Sequence, residues 1–106
     1  MVLVYVTCAD RDEARRIGRE LVRKRLAACT NVFSGVESFF NWEGQLEQAD
    51  ETVVIAKTVR AKVPAVVEAV RALHSYTVPA VVVVPVEGGN PAFMDWVVSE
   101  VGICDR

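Results

Sequence analysis

The sequence predicts an α+β fold built on one sheet, and three observations lead to that prediction. Slightly over half of the 106 residues are hydrophobic and 22 are valine, whose stiff, branched side chain suits pleated strands. Residues 32–41 and 45–57 are long strand-like runs joined at 42–44, which predicts a hairpin. Residues 10–28 and 61–73 show the apolar periodicity of amphipathic helices on either side of it.

The first strand and helix come from residues 2–28. Residues 2–7 are apolar on both faces, as a central strand requires. Asp10 and Glu13 have the spacing of a capping box, and the helix that they begin is expected to reach about Ala28. Seven of the twelve basic residues lie between Arg11 and Arg25, but acidic residues alternate with them. This pattern favours a solvated helix face over a nucleic-acid-binding face.

The predicted hairpin is too long for its sheet. Its strands have about ten to thirteen residues, whereas the strands at 2–7 and 80–86 have six or seven. The far half should therefore extend beyond the sheet and expose Phe39, Phe40 and Trp42. Unpaired backbone and apolar surface of this kind favour pairing with other copies of the chain. The hairpin predicts an obligate oligomer.

The second half of the chain completes the predicted order. The helix at 61–73 has Pro64 in its first turn, and residues 80–84 form a short buried strand after Pro79. Asn90 is expected to cap a last helix that begins at Pro91 and ends before Gly102. Right-handed crossovers then predict a ferredoxin-like βαββαβ sheet with an extra C-terminal helix, forming a single domain over residues 1–106.

Composition excludes several classes of protein. The net charge of −2 gives no electrostatic case for nucleic acid or an anionic membrane as a partner. The N-terminus lacks the basic region of a signal peptide, and no apolar run is long enough to span a bilayer. Three cysteines without a Cys-x-x-Cys pair suit a reducing compartment. The expected location is the cytoplasm.

Five short segments resemble the CutA family, the divalent-cation tolerance proteins. They are Arg-Leu-Ala-Ala-Cys-Thr-Asn at 25–31, Trp-Glu-Gly at 42–44, Lys-Thr at 57–58, Leu-His-Ser-Tyr-Thr-Val-Pro at 73–79 and Pro-Val-Glu-Gly-Gly-Asn-Pro at 85–91. The resemblance implies a ferredoxin-like protomer in a homotrimer assembled through the long hairpin at residues 32–57. It further implies a cytoplasmic protein that binds divalent metal ions, copper foremost, and is linked to metal tolerance.

The chain departs from the family pattern near its histidine. Position 80 is alanine where the family usually has glutamate, and Ser75 stands where a proline commonly follows the histidine. His74 is the only histidine, whereas some members have a doublet. Each departure weakens a metal site transferred from the family.

Cys29 and His74 are the residues that we predict as metal ligands. Each follows a helix and precedes a strand, which allows them to share an end of the sheet, but the sequence does not give their separation. Thiolate favours Cu(I), and imidazole suits Cu²⁺ as well. The alternatives are that Cys29 is a small buried hydrophobe and that His74 only caps its helix. Five further residues are candidates for an inter-subunit cleft: Lys57, Tyr76, Trp42, Glu43 and Glu51.

The sequence does not favour an enzyme. Cys29 as nucleophile, His74 as base and Lys57 as stabiliser would be the catalytic set, but no nucleophile or phosphate-binding motif accompanies them. No cofactor is expected to be obligatory, although Cu²⁺ or another divalent cation is a candidate ligand. The alternative function is a PII-like signalling or scaffold trimer that binds a small ligand or an unidentified partner protein, with incidental metal binding. Cys8 and Cys104 are expected to be incidental.

Overall fold

The computed structural model describes residues 1–102 and shows a four-stranded antiparallel sheet with three helices. The strands are β1 (Val2–Cys8), β2 (Cys29–Trp42), β3 (Gln45–Thr58) and β4 (Val81–Pro85). The helices are α1 (Arg11–Arg23), α2 (Val63–Leu73), which follows a short 3-10 turn at Arg60–Lys62, and α3 (Pro91–Gly102). The strand order is β2-β3-β1-β4, and every neighbouring pair is antiparallel. The α+β class and the element order predicted from the sequence are confirmed.

Helix α1 ends earlier than its apolar pattern suggests. The helix stops at Arg23 because Arg25 adopts a left-handed conformation with φ of 58°. The backbone N–H groups of Leu26 and Ala27 then both donate to the carbonyl of Leu21, which satisfies the helix end as a C-cap requires. The chain enters β2 at Cys29, three residues before the predicted strand start.

The hydrophobic core lies between one face of the sheet and helices α1 and α2. Val2, Val4 and Val6 point from β1 into this core, where they meet Ile17 and Leu21 of α1. Side chains from β3 and α2 complete it, including Val54, Ala56, Val66 and Val70. Alternation along β1 is therefore strict, with every second residue on the helix side.

Among residues 1–102, no helix covers the centre of the other face of the sheet. Tyr5 lies beside Val82 in the register of β1 and β4, and these side chains are 37% and 53% exposed. Phe33 and Val84 are exposed on the same face. This open apolar face (Tyr5, Phe33, Val82, Val84) has the character of an interface rather than of a solvated surface.

The hairpin extends beyond the sheet, as predicted. Pairing between β1 and β3 ends where Cys8 faces Thr52, so residues 45–51 pair only with β2. The projecting part exposes 63% of Trp42 and 75% of Leu46. It closes in a two-residue turn with φ of 51° at Glu43 and 79° at Gly44, the conformation of a type I′ hairpin turn.

Helix α3 packs at the opposite end of the sheet from the hairpin tip. Asn90 caps it through a hydrogen bond of 3.1 Å from the N–H of Ala92 to Oδ1, and Pro91 is its first residue, both as predicted. The helix includes Gly102, so the prediction that it ends before this residue is wrong. Val97 and Val101 form a second small core with Ala28. Cys104, expected to be incidental, lies outside the described residues.

Gly18 marks the closest approach of α1 to β2, which leads to the first prediction. A methyl group at position 18 would lie 2.9 Å from Thr30 Oγ1. Overpacking costs about 1–3 kcal/mol, whereas replacing a helical glycine by alanine contributes about 1 kcal/mol. We therefore expect Gly18→Ala to lower the free energy of unfolding by about 1 kcal/mol, measured by urea denaturation.

A double-mutant cycle with Thr30→Ala supplies the control. Removing Thr30 Oγ1 also removes its 3.2 Å hydrogen bond to the Gly18 carbonyl, so this variant alone should be destabilised. Gly18→Ala should be neutral or stabilising in that background, because the clashing atom is gone. If Gly18→Ala changes the free energy of unfolding equally in both backgrounds, the close approach to Thr30 does not affect stability.

Candidate functional site

Three potential metal ligands meet at the end of β1. Cys8 is the last residue of β1, Glu13 lies in the first turn of α1, and His74 caps the C-terminus of α2. Their ligand atoms all lie within 4.8 Å of one another. The side chain of His74 has no solvent exposure and that of Glu13 only 6%. Cys8 is fully buried.

Glu13 is held in this cluster by backbone donors from two segments. Its Oε2 accepts a hydrogen bond of 3.0 Å from the N–H of Ala9, and its Oε1 accepts one of 2.8 Å from the N–H of Ser75. Its own N–H donates to Asp10 Oδ1, which is the predicted capping interaction. Burial raises the pKa of Glu13, but these hydrogen bonds and the nearby His74 outweigh it and leave the pKa below its ordinary value.

Both ring nitrogens of His74 have partners. The N–H of Tyr76 lies 3.0 Å from Nδ1 and donates to it. Nδ1 therefore acts as the acceptor, and the proton of the neutral ring belongs on Nε2, which is 2.7 Å from the carbonyl oxygen of Thr7. Glu13 Oε2 is 3.5 Å from Nδ1. Nδ1 is thus the ring nitrogen closest to the carboxylate.

Cys8 is a protonated thiol in this environment. Burial, followed by the negative charges of Glu13 and Glu51, raises the pKa of Cys8 to about 12. Thiolate is the nucleophilic and metal-binding form of cysteine. Cys8 is therefore a poor nucleophile at neutral pH, and it can bind a metal only by losing a proton.

A cleft of 560 Å³ opens next to this cluster, between the hairpin and the connection from α2 to β4. Tyr76 donates from its hydroxyl to Glu51 Oε2 at 2.8 Å, and Ser38 donates to Glu51 Oε1 at 2.6 Å. Burial and this contact with Glu51 raise the pKa of Tyr76 to about 12. Trp42 and Ala80 line the cleft as well.

The structure separates Cys29 from His74. Cys29 lies opposite Lys57, which in turn pairs with Leu3 near the start of β1. His74 binds the Thr7 carbonyl near the end of the same strand. Four residues along a strand span about 13 Å, so the two residues lie at different ends of the sheet and do not form the shared site that the sequence left open.

The physical reason lies in the direction of the strands. Each helix returns the chain to the start of a strand parallel to the one before it. Because β1 and β3 are antiparallel, β2 and β4 begin at opposite ends of the sheet. The catalytic set of Cys29, His74 and Lys57 considered from the sequence therefore does not assemble within the described protomer.

Three of the five cleft candidates lie together, and the other two lie elsewhere. Trp42, Glu51 and Tyr76 line the same cleft. Lys57 lies at the far end of β3, where its Nζ is 5.6 Å from the centre of the Phe93 ring. Glu43 occupies the turn at the hairpin tip.

Sequence reasoning missed Cys8 and Glu13 as partners of His74. The available signal was the capping box, because it places the carboxylate of Glu13 directly over the end of β1. The carboxylate near His74 thus comes from position 13, whereas position 80 has none.

Comparisons with known proteins identify the family and support the fold. The family model of the "CutA1 divalent ion tolerance protein" matches residues 2–100. A relative from Archaeoglobus fulgidus, "Divalent-cation tolerance protein CutA", is 44% identical over 89% of this chain and 91% of its own length. The solved structure of "Divalent cation tolerance protein (Cut A1)" from Thermus thermophilus superposes with a TM-score of 0.93 at 37% identity, covering 96% of this chain and all of the other. The chain belongs to the CutA1 family.

The relatives differ in length and in the compartment that their names give. Mouse "Protein CutA" is 42% identical over 88% of this chain, and Arabidopsis thaliana "Protein CutA, chloroplastic" is 35% identical over 90%. This chain spans about half (52%) of each of those two proteins. The solved structure from A. fulgidus, with a TM-score of 0.91 at 42% identity over 95% of this chain and 99% of the other, is described as periplasmic. Among the described residues, none of the helices has the length and hydrophobicity needed to cross a membrane.

The buried carboxylate leads to a pH prediction. The lowered pKa of Glu13 means that the carboxylate stabilises the fold above the unfolded value of 4.5, and that this stability is lost as the pH falls through the folded pKa. Glu13→Gln should therefore be destabilised by about 1.5–3 kcal/mol at pH 7, the usual range for hydrogen bonds to a charged group. The difference in the free energy of unfolding between Glu13→Gln and wild type should become smaller below pH 4.5. Urea denaturation at pH 7 and pH 3.5 measures it.

Glu20→Gln is the matched control. Glu20 also has a lowered pKa, caused first by its hydrogen bond to Arg23, but it lies on the solvent side of α1. Its substitution should change stability much less, since exposed pairs contribute little. A loss at Glu13→Gln that stays constant with pH would show that its charge is not what stabilises the fold.

Proposed function

We propose that this CutA1-family protein binds a divalent or thiophilic metal ion, copper foremost, through Cys8, Glu13 and His74. The observation that supports it is the convergence of three different donor atoms within 4.8 Å in a buried site. Thiolate, imidazole and carboxylate together suit first-row transition metals better than Mg²⁺ or Ca²⁺. The proposal moves the site from the pair Cys29 and His74 to a set that keeps His74 and omits Cys29.

The donor set fits a metal by chemistry and distance, but Glu13 and His74 already have hydrogen-bond partners and Cys8 carries a proton. Glu13 accepts two backbone hydrogen bonds, and both nitrogens of His74 have partners. A metal would displace at least the Tyr76 contact at Nδ1 and the proton of Cys8. Weak binding that strengthens with pH follows from this, because the metal competes with a proton for the sulfur.

We further propose that the protein is a homotrimer of ferredoxin-like protomers. The open apolar face and the projecting hairpin both favour this assembly, since each leaves apolar side chains in water in the single protomer. The open face would be covered by equivalent faces of the other copies. The hairpin would reach across to a neighbouring sheet.

A cytoplasmic location and a non-catalytic role complete the proposal. Cys8 and Cys29 are free cysteines, which suits a reducing compartment. Metal tolerance would then follow from sequestration of an ion rather than from its chemical conversion. The protonated thiol of Cys8 is a poor nucleophile at neutral pH, which supports a non-catalytic role.

One observation favours the alternative of a PII-like or scaffold trimer. The cleft beside Tyr76 and Glu51 has 560 Å³ of space and includes the aromatic ring of Trp42, which suits a small ligand or a partner side chain. In that case metal binding would be incidental.

Metal titration distinguishes the two functions. Wild type, Cys8→Ala and His74→Ala would be titrated calorimetrically with Zn²⁺ or Cd²⁺, and with copper under reducing conditions. We expect at least a tenfold loss of affinity in both variants and a rise of about tenfold per pH unit in wild type, because one proton leaves the Cys8 thiol. Thiolate-to-metal charge-transfer absorption should appear in wild type and disappear in Cys8→Ala.

Cys29→Ala is the matched control, since it removes a cysteine at the other end of the sheet. It should bind metal as wild type does, and circular dichroism checks that each variant is folded. Wild-type affinity in both Cys8→Ala and His74→Ala would refute the metal site and leave the alternative function.

Sedimentation of the dilute protein tests the trimer. The expected mass is three times the 11.7 kDa protomer. Val82→Asp should shift the equilibrium toward the protomer, because it places a charge on the open apolar face. Val22→Asp, which lies on α1 on the other side of the sheet, should remain trimeric. A wild-type protein that sediments as a protomer would contradict the assembly.

A further inference from the structure

One backbone donor blocks the ring nitrogen of His74 that a metal ion would use. Nε2 of His74 is 2.7 Å from the carbonyl oxygen of Thr7, and a hydrogen bond of this kind holds metal-binding histidines in one tautomer. The free lone pair of the ring is then on Nδ1, which accepts the N–H of Tyr76 at 3.0 Å. A metal ion can reach this lone pair only when the N–H of Tyr76 moves away.

The segment that carries this donor is attached to the fold at few points. Residues 75–79 lie between α2 and β4, and they make no backbone–backbone hydrogen bond among the described residues. The N–H of Ser75 donates to Glu13, and the hydroxyl of Tyr76 donates to Glu51. A segment without backbone pairing opens more readily than a helix or a paired strand.

Tyr76 stands between His74 and the cleft. Its ring lies beside the imidazole, with 4.7 Å between the ring centroids and a tilt of 50°. Tyr76 lines the cleft, whereas the side chain of His74 has no solvent exposure. The orientation of His74 is already set through Nε2 by the carbonyl of Thr7. The contact of Tyr76 with Nδ1 therefore covers the histidine and is not needed to orient it.

Glu51 holds Tyr76 in this position from the projecting hairpin. Its Oε2 accepts the hydroxyl of Tyr76 at 2.8 Å, and its Oε1 accepts the hydroxyl of Ser38 at 2.6 Å. Glu51 belongs to the part of β3 that pairs only with β2. Hydrogen bonds from hydroxyl groups to a carboxylate are short and strong, so the position of the hairpin determines the position of Tyr76.

We propose that Glu51 of the hairpin keeps Tyr76 over Nδ1 of His74 and thereby controls the access of a metal ion to the buried site. This inference rests on the proposed metal function and adds its regulation. When the hydroxyl of Tyr76 leaves Glu51, the N–H of Tyr76 can leave Nδ1. The apparent affinity for metal is then reduced by the small fraction of molecules in which Nδ1 is free. Because other copies of the chain would hold the hairpin, assembly and metal access would be linked through Glu51.

Cd²⁺ binding to the full-length protein tests the effect on the metal site. Tyr76→Phe removes the hydroxyl but keeps the ring and the net charge. It should bind Cd²⁺ about fivefold more tightly than wild type in calorimetry, since Nδ1 is free in a larger fraction of molecules. Stopped-flow absorption of the thiolate–metal band should show that faster association causes the gain. Adding Cys8→Ala to Tyr76→Phe should abolish the band and the gain.

Hydrogen exchange of the residue 76 amide, measured by NMR in the metal-free protein, tests the blocking contact without any metal. This amide should exchange about fivefold faster in Tyr76→Phe and in Glu51→Gln than in wild type, because its segment has lost its attachment to the hairpin. Asp50→Asn is the matched control, since it makes the same charge change on the opposite face of the hairpin strand. It should leave the exchange rate unchanged. In wild type, Cd²⁺ should speed the exchange of this amide, because Nδ1 no longer accepts its proton.

The two measurements separate failure of the blocking contact from failure of the metal site. Unchanged amide exchange in Tyr76→Phe and Glu51→Gln, or Cd²⁺ binding by Tyr76→Phe that is equal to or weaker than that of wild type, would overturn the blocking role while leaving the metal site in place. Faster exchange in both variants, with no Cd²⁺ bound by wild type or by Tyr76→Phe, would overturn the metal site and the control of access together.

Discussion

The rest of the site depends on the hydrogen bonds that the buried carboxylate of Glu13 accepts. It is almost completely buried, and it accepts backbone hydrogen bonds from Ala9 after β1 and from Ser75 after α2. One side chain therefore joins the first crossover to the second at the end of the sheet where β1 stops. A buried charge of this kind is tolerated only when its hydrogen bonds are complete, and among the described residues no buried side-chain polar atom lacks a partner.

The buried charge of Glu13 also makes it harder for a metal ion to bind at the candidate site. The hydrogen bonds that lower the pKa of Glu13 keep a negative charge beside Cys8, and that charge helps to raise the pKa of the thiol to about 12. A metal bound here would therefore compete with the fold's own hydrogen bonds for the ligand atoms of Glu13 and His74. A site arranged in this way favours ions that bind sulfur and nitrogen strongly enough to displace a proton.

The surfaces of the protomer divide by location. The open apolar face is on the side of the sheet without α1 and α2, and the projecting hairpin is at the end of the sheet where β1 stops. The cleft at Tyr76 and Glu51 lies between the hairpin and the candidate metal site at Cys8, Glu13 and His74.

Local patterns in the sequence were sufficient for the strands, the helices, both helix caps and the excess length of the hairpin, because periodicity and capping depend on neighbours within a few residues. They also identified Trp42, Glu51 and Tyr76, which meet in one cleft. The end of α1 at Arg23 was not predictable in this way, since its apolar stripe continues to Ala28. Only the tertiary structure decided that His74 meets Cys8 and Glu13 rather than Cys29. The physical reason is strand direction: the hairpin reverses the chain between the two crossovers, so residues in equivalent sequence positions arrive at opposite ends of the sheet.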